Sequence, residues 1–229
     1  GIDLDSLTMD SNSNIVYLDH NTGEEKNLLT LSSDENRIWV DLDATPKNLQ
    51  NAFIAIEDER FPIHNGVDIK RTLKATLTYF LDKLTGKGGQ ASLGGSTITQ
   101  QLIKNITGDD EQTISRKISE ISKAIDLEKK LSKDQILELY LNCIFLSQNC
   151  HGVQTAANLY FDKDVSQLNL AECASIASIT QNPALYDPFI NPDKNKEKQE
   201  LVLAKMLSLG YITQEEYDEA VNYPLTFSK

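Results

Sequence analysis

No stretch of about 18 consecutive apolar residues occurs in the 229-residue chain, so no membrane-spanning helix is expected within it. The first residues, Gly1-Ile2-Asp3-Leu4-Asp5, lack the basic and apolar regions of a signal peptide, and Gly1 in place of Met suggests a cut from something longer. Cysteine is scarce. Three (Cys143, Cys150, Cys173) are too few for a disulfide scaffold, and no CxxC pair with a partner His or Cys cluster has zinc spacing. Basic residues are outnumbered, 22 against 34 acids, and the formal charge of −12 repels a nucleic-acid duplex. What is present, 40% hydrophobic and 24% charged residues, is the composition of a globular domain and excludes disorder.

Residues 1–44 are polar and turn-rich, with apolar runs at Ile15-Val16-Tyr17-Leu18 and Ile38-Trp39-Val40 joined through Asn21-Thr22-Gly23. This pattern predicts a β-hairpin or strand arm. From Thr45 the period becomes helical: Thr45 can cap, Pro46 suits the first turn, and Leu49, Ala52, Phe53 and Ile56 share one face. Residues 82–95 hold five of the eleven glycines and predict a mobile loop. A helix is expected from Ser96 to Asn105, and a longer amphipathic one carrying Ile114, Ile118, Ile121, Ile125 and Leu131. Capping-box signatures at Ser132–Gln135, Asn169–Glu172 and Thr213–Glu216 start three more, the first ending near Phe145, and Gly210 should stop a helix. The fold class is therefore mainly α with a small N-terminal β arm, in two parts: an arm over 1–44 and a helical domain over 45–229.

Three polar clusters can carry chemistry. Glu57-Asp58 closes the first long helix, followed by Arg60, Phe61, Pro62, His64 and Gly66. Carboxylates there oppose the helix dipole, at about 0.3–1 kcal/mol each, so a local partner is required, with Arg60 and His64 nearest. A solvated acidic helix end with a structural histidine is the plainer reading. Gly94-Gly95-Ser96-Thr97-Ile98-Thr99-Gln100-Gln101 leads into a helix that carries Lys104 and Asn105. Paired glycines before hydroxyls and amides suit an anionic or sugar-diphosphate ligand, although the nucleotide P-loop spacing is absent. Arg116-Lys117-xx-Glu120 places Arg116 and Lys117 at i,i+4 and i,i+3 from Glu120, which alone reads as a salt-bridge ladder. Two carboxylates facing one cleft are what chemistry at an anomeric carbon uses, and Glu57 and Glu120 stand 63 residues apart.

In this order the segments resemble the family 51 peptidoglycan glycosyltransferases, the transglycosylase domain of class A penicillin-binding proteins and monofunctional transglycosylases. The resemblance covers roughly residues 38 to 225. Glu57-Asp58 with Phe61, His64 and Gly66 fits the first motif, and Gly94 to Gln101 with Leu102, Lys104 and Asn105 the second. Arg116-Lys117-xx-Glu120 fits the third, and Lys133, Ile136, Leu137, Tyr140, Leu141 and Asn142 the fourth. A fifth region fits through Gly152, Tyr160-Phe161, Glu172, Tyr186 and Asn191-Pro192. Five motifs in register are highly specific.

The resemblance implies a lysozyme-like, two-lobed helical fold with a cleft between the lobes. It implies polymerisation of lipid II into β-1,4-linked glycan with inversion, undecaprenyl diphosphate leaving. Glu57 would be the general base. Lys104, Arg116 and Lys117 would stabilise the departing diphosphate, and Glu120 would orient those cations or contact the donor. Ser96, Thr97, Gln100, Gln101 and Asn105 would hold sugar and phosphate oxygens, while Asp58 and His64 shape the surroundings of the base. Lys74 and Gln112 stand where arginines are expected, and Leu146-Ser147 and Asp162 where the family has Phe-Gly and Gly. No cofactor is required, Mg or Mn being an option at the diphosphate, and no Asp/His ligand set calls for a metal. The partners implied are lipid II, the growing glycan, the outer leaflet of the cytoplasmic membrane and cell-wall synthesis or division proteins, with no nucleic acid. The expected location is the outer face of the bacterial cytoplasmic membrane, the natural anchor lying outside this chain. Tyr79, Phe80, Leu81 and Leu84 either dip into lipid or pack a core. The alternatives are a muralytic enzyme of the lysozyme-like group and a catalytically weakened cell-wall binding domain.

Overall fold

The computed structural model of the chain describes residues 14–18, 25–30, 36–72, 95–107 and 113–229. The elements are strands β1 (Asn14–Leu18), β2 (Glu25–Thr30) and β3 (Asn36–Arg37), then helices α1 (Lys47–Glu57), α2 (Ile98–Thr107), α3 (Ile114–Glu128) and α4 (Lys133–Cys143). Strand β4 (Cys150–His151) precedes α5 (Val153–Phe161), α6 (Leu170–Ile179), α7 (Pro192–Ser208) and α8 (Gln214–Asn222). The expected glycine-rich loop, the apolar residues Tyr79, Phe80, Leu81 and Leu84, and the departures Lys74 and Gln112 lie outside the described residues, apart from Gly95.

Local chemistry starts three helices where the sequence says it should. Ser132 with Gln135, Asn169 with Glu172, and Thr213 with Glu216 each form a reciprocal capping box at α4, α6 and α8. Each satisfies two orphan N–H groups, and the capping side chain alone is worth about 1 kcal/mol. Gly210, at φ 74, follows the end of α7. Thr45 departs from expectation. Pro46 takes the cap position of α1 without a side-chain bond, and the Thr45 hydroxyl donates to the Asp41 carbonyl instead. Gln50 closes this corner, its amide donating to the Leu42 and Thr45 carbonyls.

Helix α6 sits at the centre. Its sequence LAECASIASI is small and apolar all round, so it has no solvent face to present, and Leu170 aside its residues are buried. Helices α1 and α7 both pack against it, and α1 also meets α7, which brings the end of α1 beside the end of α6. The polar spots on α6 are answered by α7: Ser175 Oγ donates to Asn195 Oδ1 at 2.6 Å, and Gln199 Nε2 donates to the Ala171 carbonyl. Helix α2 packs on α3 and α4, and Phe53 of α1 meets Tyr140 of α4 edge to face, ring centroids 6.0 Å apart.

The N-terminal region corrects one expectation. The partner of β1 is Glu25–Thr30, in antiparallel register, not Ile38–Val40. Residues 36–42 strap onto the helical body: β3 pairs in parallel with β4, Val40 N donates to Asn142 Oδ1, and Leu42 N donates to Glu138 Oε2. Apolar alternation identified a strand-like backbone but not its partner, because that partner is chosen by side chains about 100 residues away.

Two turns where the resemblance leads to an expectation of glycine are made without it. Ser147, Gln148 and Asn149 all have positive φ, and Asp162 is left-handed (φ 53, ψ 41) after α5. The first turn is tied by the buried Asp187, whose Oδ2 accepts from Ser147 Oγ at 2.7 Å and from Gln148 Nε2. All three cysteines are free and buried. Burial pushes the Cys150 thiol up to about 12, leaving it protonated and unreactive near neutral pH.

Candidate active site

Glu57 is the last residue of α1 and is buried. Its carboxylate accepts from Gln101 Nε2 of α2 at 2.9 Å and from the hydroxyl of Thr180, just past α6. Tyr140 of α4 orders Gln101 from behind, donating to its Oε1 at 3.1 Å, so the amide nitrogen is left facing the acid. Burial, reinforced by the charges of Glu57 and Asp58, pushes the Tyr140 phenol well up, which keeps it a donor. Of the groups that hold the acid, Gln101 was expected in the site, Tyr140 had a place only in the fourth motif, and Thr180 carried no signal in the sequence. Behind it the half-polar face of α7 supplies Lys198, also buried, whose Nζ donates to Gln181 Oε1 at 2.6 Å. Burial lowers the pKa of Lys198, and the charge of Glu57 opposes that shift.

Asp58 has a different task. It is wholly buried, and its Oδ2 accepts from the backbone N–H of Ile98 at 3.0 Å, the first residue of α2, and from His64 Nε2 at 2.7 Å. The carboxylate that opposes the dipole of α1 is therefore stabilised by the positive end of α2. His64 Nδ1 accepts from the Gly66 N–H at 3.1 Å, which assigns the ring proton to Nε2 and makes a neutral imidazole sufficient. Lys133 and Glu128 flank the ring, Lys133 Nζ bonding Glu128 at 2.6 Å and lying 4.4 Å over Phe61. Arg60, expected near these acids, pairs with Asp68 at 2.9 Å instead. Asp58→Ala should leave the Ile98 N–H and His64 without their acceptor and lower stability by about 2–4 kcal/mol. Thermal unfolding read by circular dichroism should show a midpoint lowered by roughly 5–15 °C.

The segment entering α2 divides by role. Thr97 and Gln100, both buried, form a reciprocal cap: Thr97 N donates to Gln100 Oε1 and Gln100 N to Thr97 Oγ1. The Thr97 hydroxyl also donates to the Gly66 carbonyl at 2.7 Å. These two side chains, expected to hold substrate oxygens, are occupied in positioning α2. Thr99 does the same through Glu128. Ser96 and Gln101 point to the site from opposite ends of the segment, and Lys104 and Asn105 are exposed further along α2.

On α3, Glu120 is buried under two cations. Arg116 Nη1 donates to its Oε2 at 2.6 Å and Lys117 Nζ to its Oε1, and Lys117 also donates to Ser96 Oγ at 2.8 Å. Arg116 and Lys117 keep one positive charge in excess and a partly exposed face. No hydrogen bond joins Glu120 to Glu57; what spans the two clusters is the stretch Ser96–Gln101, bonded to Lys117 at one end and to Glu57 at the other. Among the described residues no three His, Cys, Asp or Glu side chains converge on a metal position.

A buried acid and a fixed pair of cations are thus joined through one helix entry that carries a hydroxyl and an amide. The sequence pattern of the transglycosylase family matches residues 24–207. The chain belongs to that family. It is 44% identical over 220 residues to penicillin-binding protein 1A of Clostridium botulinum, covering 94% of this chain and 26% of that protein. Against penicillin-binding protein 1A of Aquifex aeolicus it is 43% identical over 195 residues, covering 85% of this chain and 26% of that protein. The crystal structure of penicillin-binding protein 1A from Haemophilus influenzae superposes with a TM-score of 0.52 at 26% identity, over 90% of this chain and 20% of that one. The mostly helical fold is thus the lysozyme-like one of that family. The chain spans about a quarter of the length of these curated relatives.

Proposed function

We propose that this domain polymerises lipid II into β-1,4-linked glycan, with undecaprenyl diphosphate as leaving group. Glu57 takes the proton of the acceptor 4-hydroxyl as that oxygen attacks the donor anomeric carbon, and the C–O bond to the diphosphate breaks with inversion. Gln101 and Thr180 fix the acid, since a general base must be aimed at the proton it removes. Negative charge gathers on the departing diphosphate, where Arg116 and Lys117, preset by Glu120, require no reorganisation to meet it. Lys104 and Asn105 extend that surface, and Ser96 holds a donor oxygen; Mg or Mn can accompany the diphosphate. Lys74 and Gln112 would tune the same grip, lysine and glutamine lacking the bidentate fork of arginine. The reaction takes place at the outer face of the bacterial cytoplasmic membrane, where the lipid-linked substrate resides.

One observation carries this reading: Ser96–Gln101 links the base at one end to the cation pair at the other, so one segment serves both the acceptor hydroxyl and the donor diphosphate. Among the described residues no helix is long and apolar enough to cross a membrane. The lipid tail of the substrate calls for dispersal in detergent. Purified protein incubated with lipid II should yield long glycan separable by gel electrophoresis, and none should form when lipid II is replaced by cell-wall sacculi. Release of soluble fragments from sacculi without polymer from lipid II would overturn the proposal in favour of a muralytic enzyme.

A further inference from the structure

Glu128 is a buried acid that the proposed reaction leaves unused. It closes α3, where a carboxylate opposes the helix dipole, and its side chain is only 5% exposed, so partners must hold it. Those partners come from three other places in the fold. The Thr99 hydroxyl of α2 donates to its Oε1 at 2.5 Å, and Lys133, in the first turn of α4, donates to both oxygens at 2.7 and 2.6 Å. His64, in the turn after α1, brings Nδ1 to within 3.7 Å of the same Oε1.

Helix α2 is the common frame of the site. Thr99 and Gln101, two residues apart, leave it on nearly opposite faces, Gln101 toward Glu57 and Thr99 toward Glu128. Arg116 and Lys117 stand on α3 about three turns before Glu128, roughly 16–18 Å along the axis. A tilt of about 5° at the Glu128 end therefore carries those cations about 1.5 Å, and a displacement near 1 Å is enough to cost a reaction roughly 10²-fold. Lys117 also ties the start of α3 to Ser96, but the flexible four-carbon stem of a lysine follows a displaced partner, whereas the hydroxyl of the fully buried Thr99 does not. Resting on the polymerase reading, we infer that Thr99 and Glu128 are positioning residues: they fix α3 against α2 and so set the leaving-group cations at a defined distance from the base. Both act through Arg116 and Lys117 rather than on substrate.

Two substitutions at one position separate this role from packing. Thr99→Val keeps the volume and loses the hydroxyl, whereas Thr99→Ser keeps the hydroxyl and loses a methyl group. Packing alone makes serine the more harmful, because a deleted buried methyl leaves a void. The tie to Glu128 makes it valine: for Thr99→Val, kcat for glycan formation from lipid II should fall about tenfold with KM within about twofold, and Thr99→Ser should bring kcat back to within about threefold of wild type. Spin labels attached through Thr107→Cys of α2 and Ser122→Cys of α3, both exposed positions, read the geometry without turnover, the three native cysteines being buried. The interlabel distance distribution from electron paramagnetic resonance should be the same in wild type and Thr99→Ser, and shifted or broadened in Thr99→Val. Equal distributions in all three proteins would overturn the inference, as would, where wild type polymerises, a Thr99→Val kcat no lower than that of Thr99→Ser. Absence of polymer from lipid II in wild type with the distance contrast intact would overturn only the polymerase reading.

Discussion

Glu57→Gln should lower the rate of glycan formation from lipid II by roughly 10²–10⁴-fold, the usual contribution of a positioned general base. The substitution keeps shape and leaves the hydrogen-bond network repairable. The introduced amide would still accept from the Thr180 hydroxyl, and if the Gln101 amide turns over, Gln101 accepts from the new amide while donating to the Tyr140 oxygen, which can serve either way. The thermal midpoint should therefore move by only a few degrees. Gel-resolved polymer from radiolabelled lipid II reads the rate, and a variant polymerising within a few-fold of wild type would remove Glu57 from the role of base. The contrast between a large kinetic and a small thermal effect separates chemistry from structure, which a double loss would not.

Gly66→Ala should be the most damaging small substitution in the site. The residue has φ 88, a conformation costing an alanine about 1–2 kcal/mol. An added methyl would lie 2.7 Å from the Ala124 carbonyl oxygen and 2.9 Å from Ile125 N, both backbone atoms of α3 that cannot swing aside. Overpacking of that kind adds about 1–3 kcal/mol. The loss also spreads, because Gly66 donates to His64 through its N–H and accepts from Thr97 through its carbonyl. A stability loss of about 2–5 kcal/mol, seen as a midpoint shift in urea unfolding, is the expected outcome. An unchanged midpoint would mean that α3 does not pack against residue 66.

How much of this was legible depended on the distance over which each contact acts. The three capping boxes and the stop at Gly210 were readable because donor and acceptor lie within four residues of each other. The start of α1 misled for a related reason: Thr45 has a residue type that caps, but the turn over 42–44 offered its hydroxyl the Asp41 carbonyl first. Arg60 was matched to the nearest acids in sequence, and Asp68 captured it across the turn. The turns at residues 147–149 and 162 stand where glycine was expected, yet non-glycine residues adopt a positive φ there, the first turn held by Asp187.

The site shows the same division. By itself the sequence determined the family, the helix starts and the identity of the acids and cations, because the spacing of each motif is a local property of one helix end. Only the tertiary structure decided which group each acid meets. Glu57 finds Thr180 across 123 residues and Asp58 finds the Ile98 N–H across 40, contacts that exist because the buried, small-residue helix α6 lets α1 settle beside its end while α2 turns its first N–H groups inward. Burial of a charge demands a partner, but where that partner comes from is set by how the helices pack.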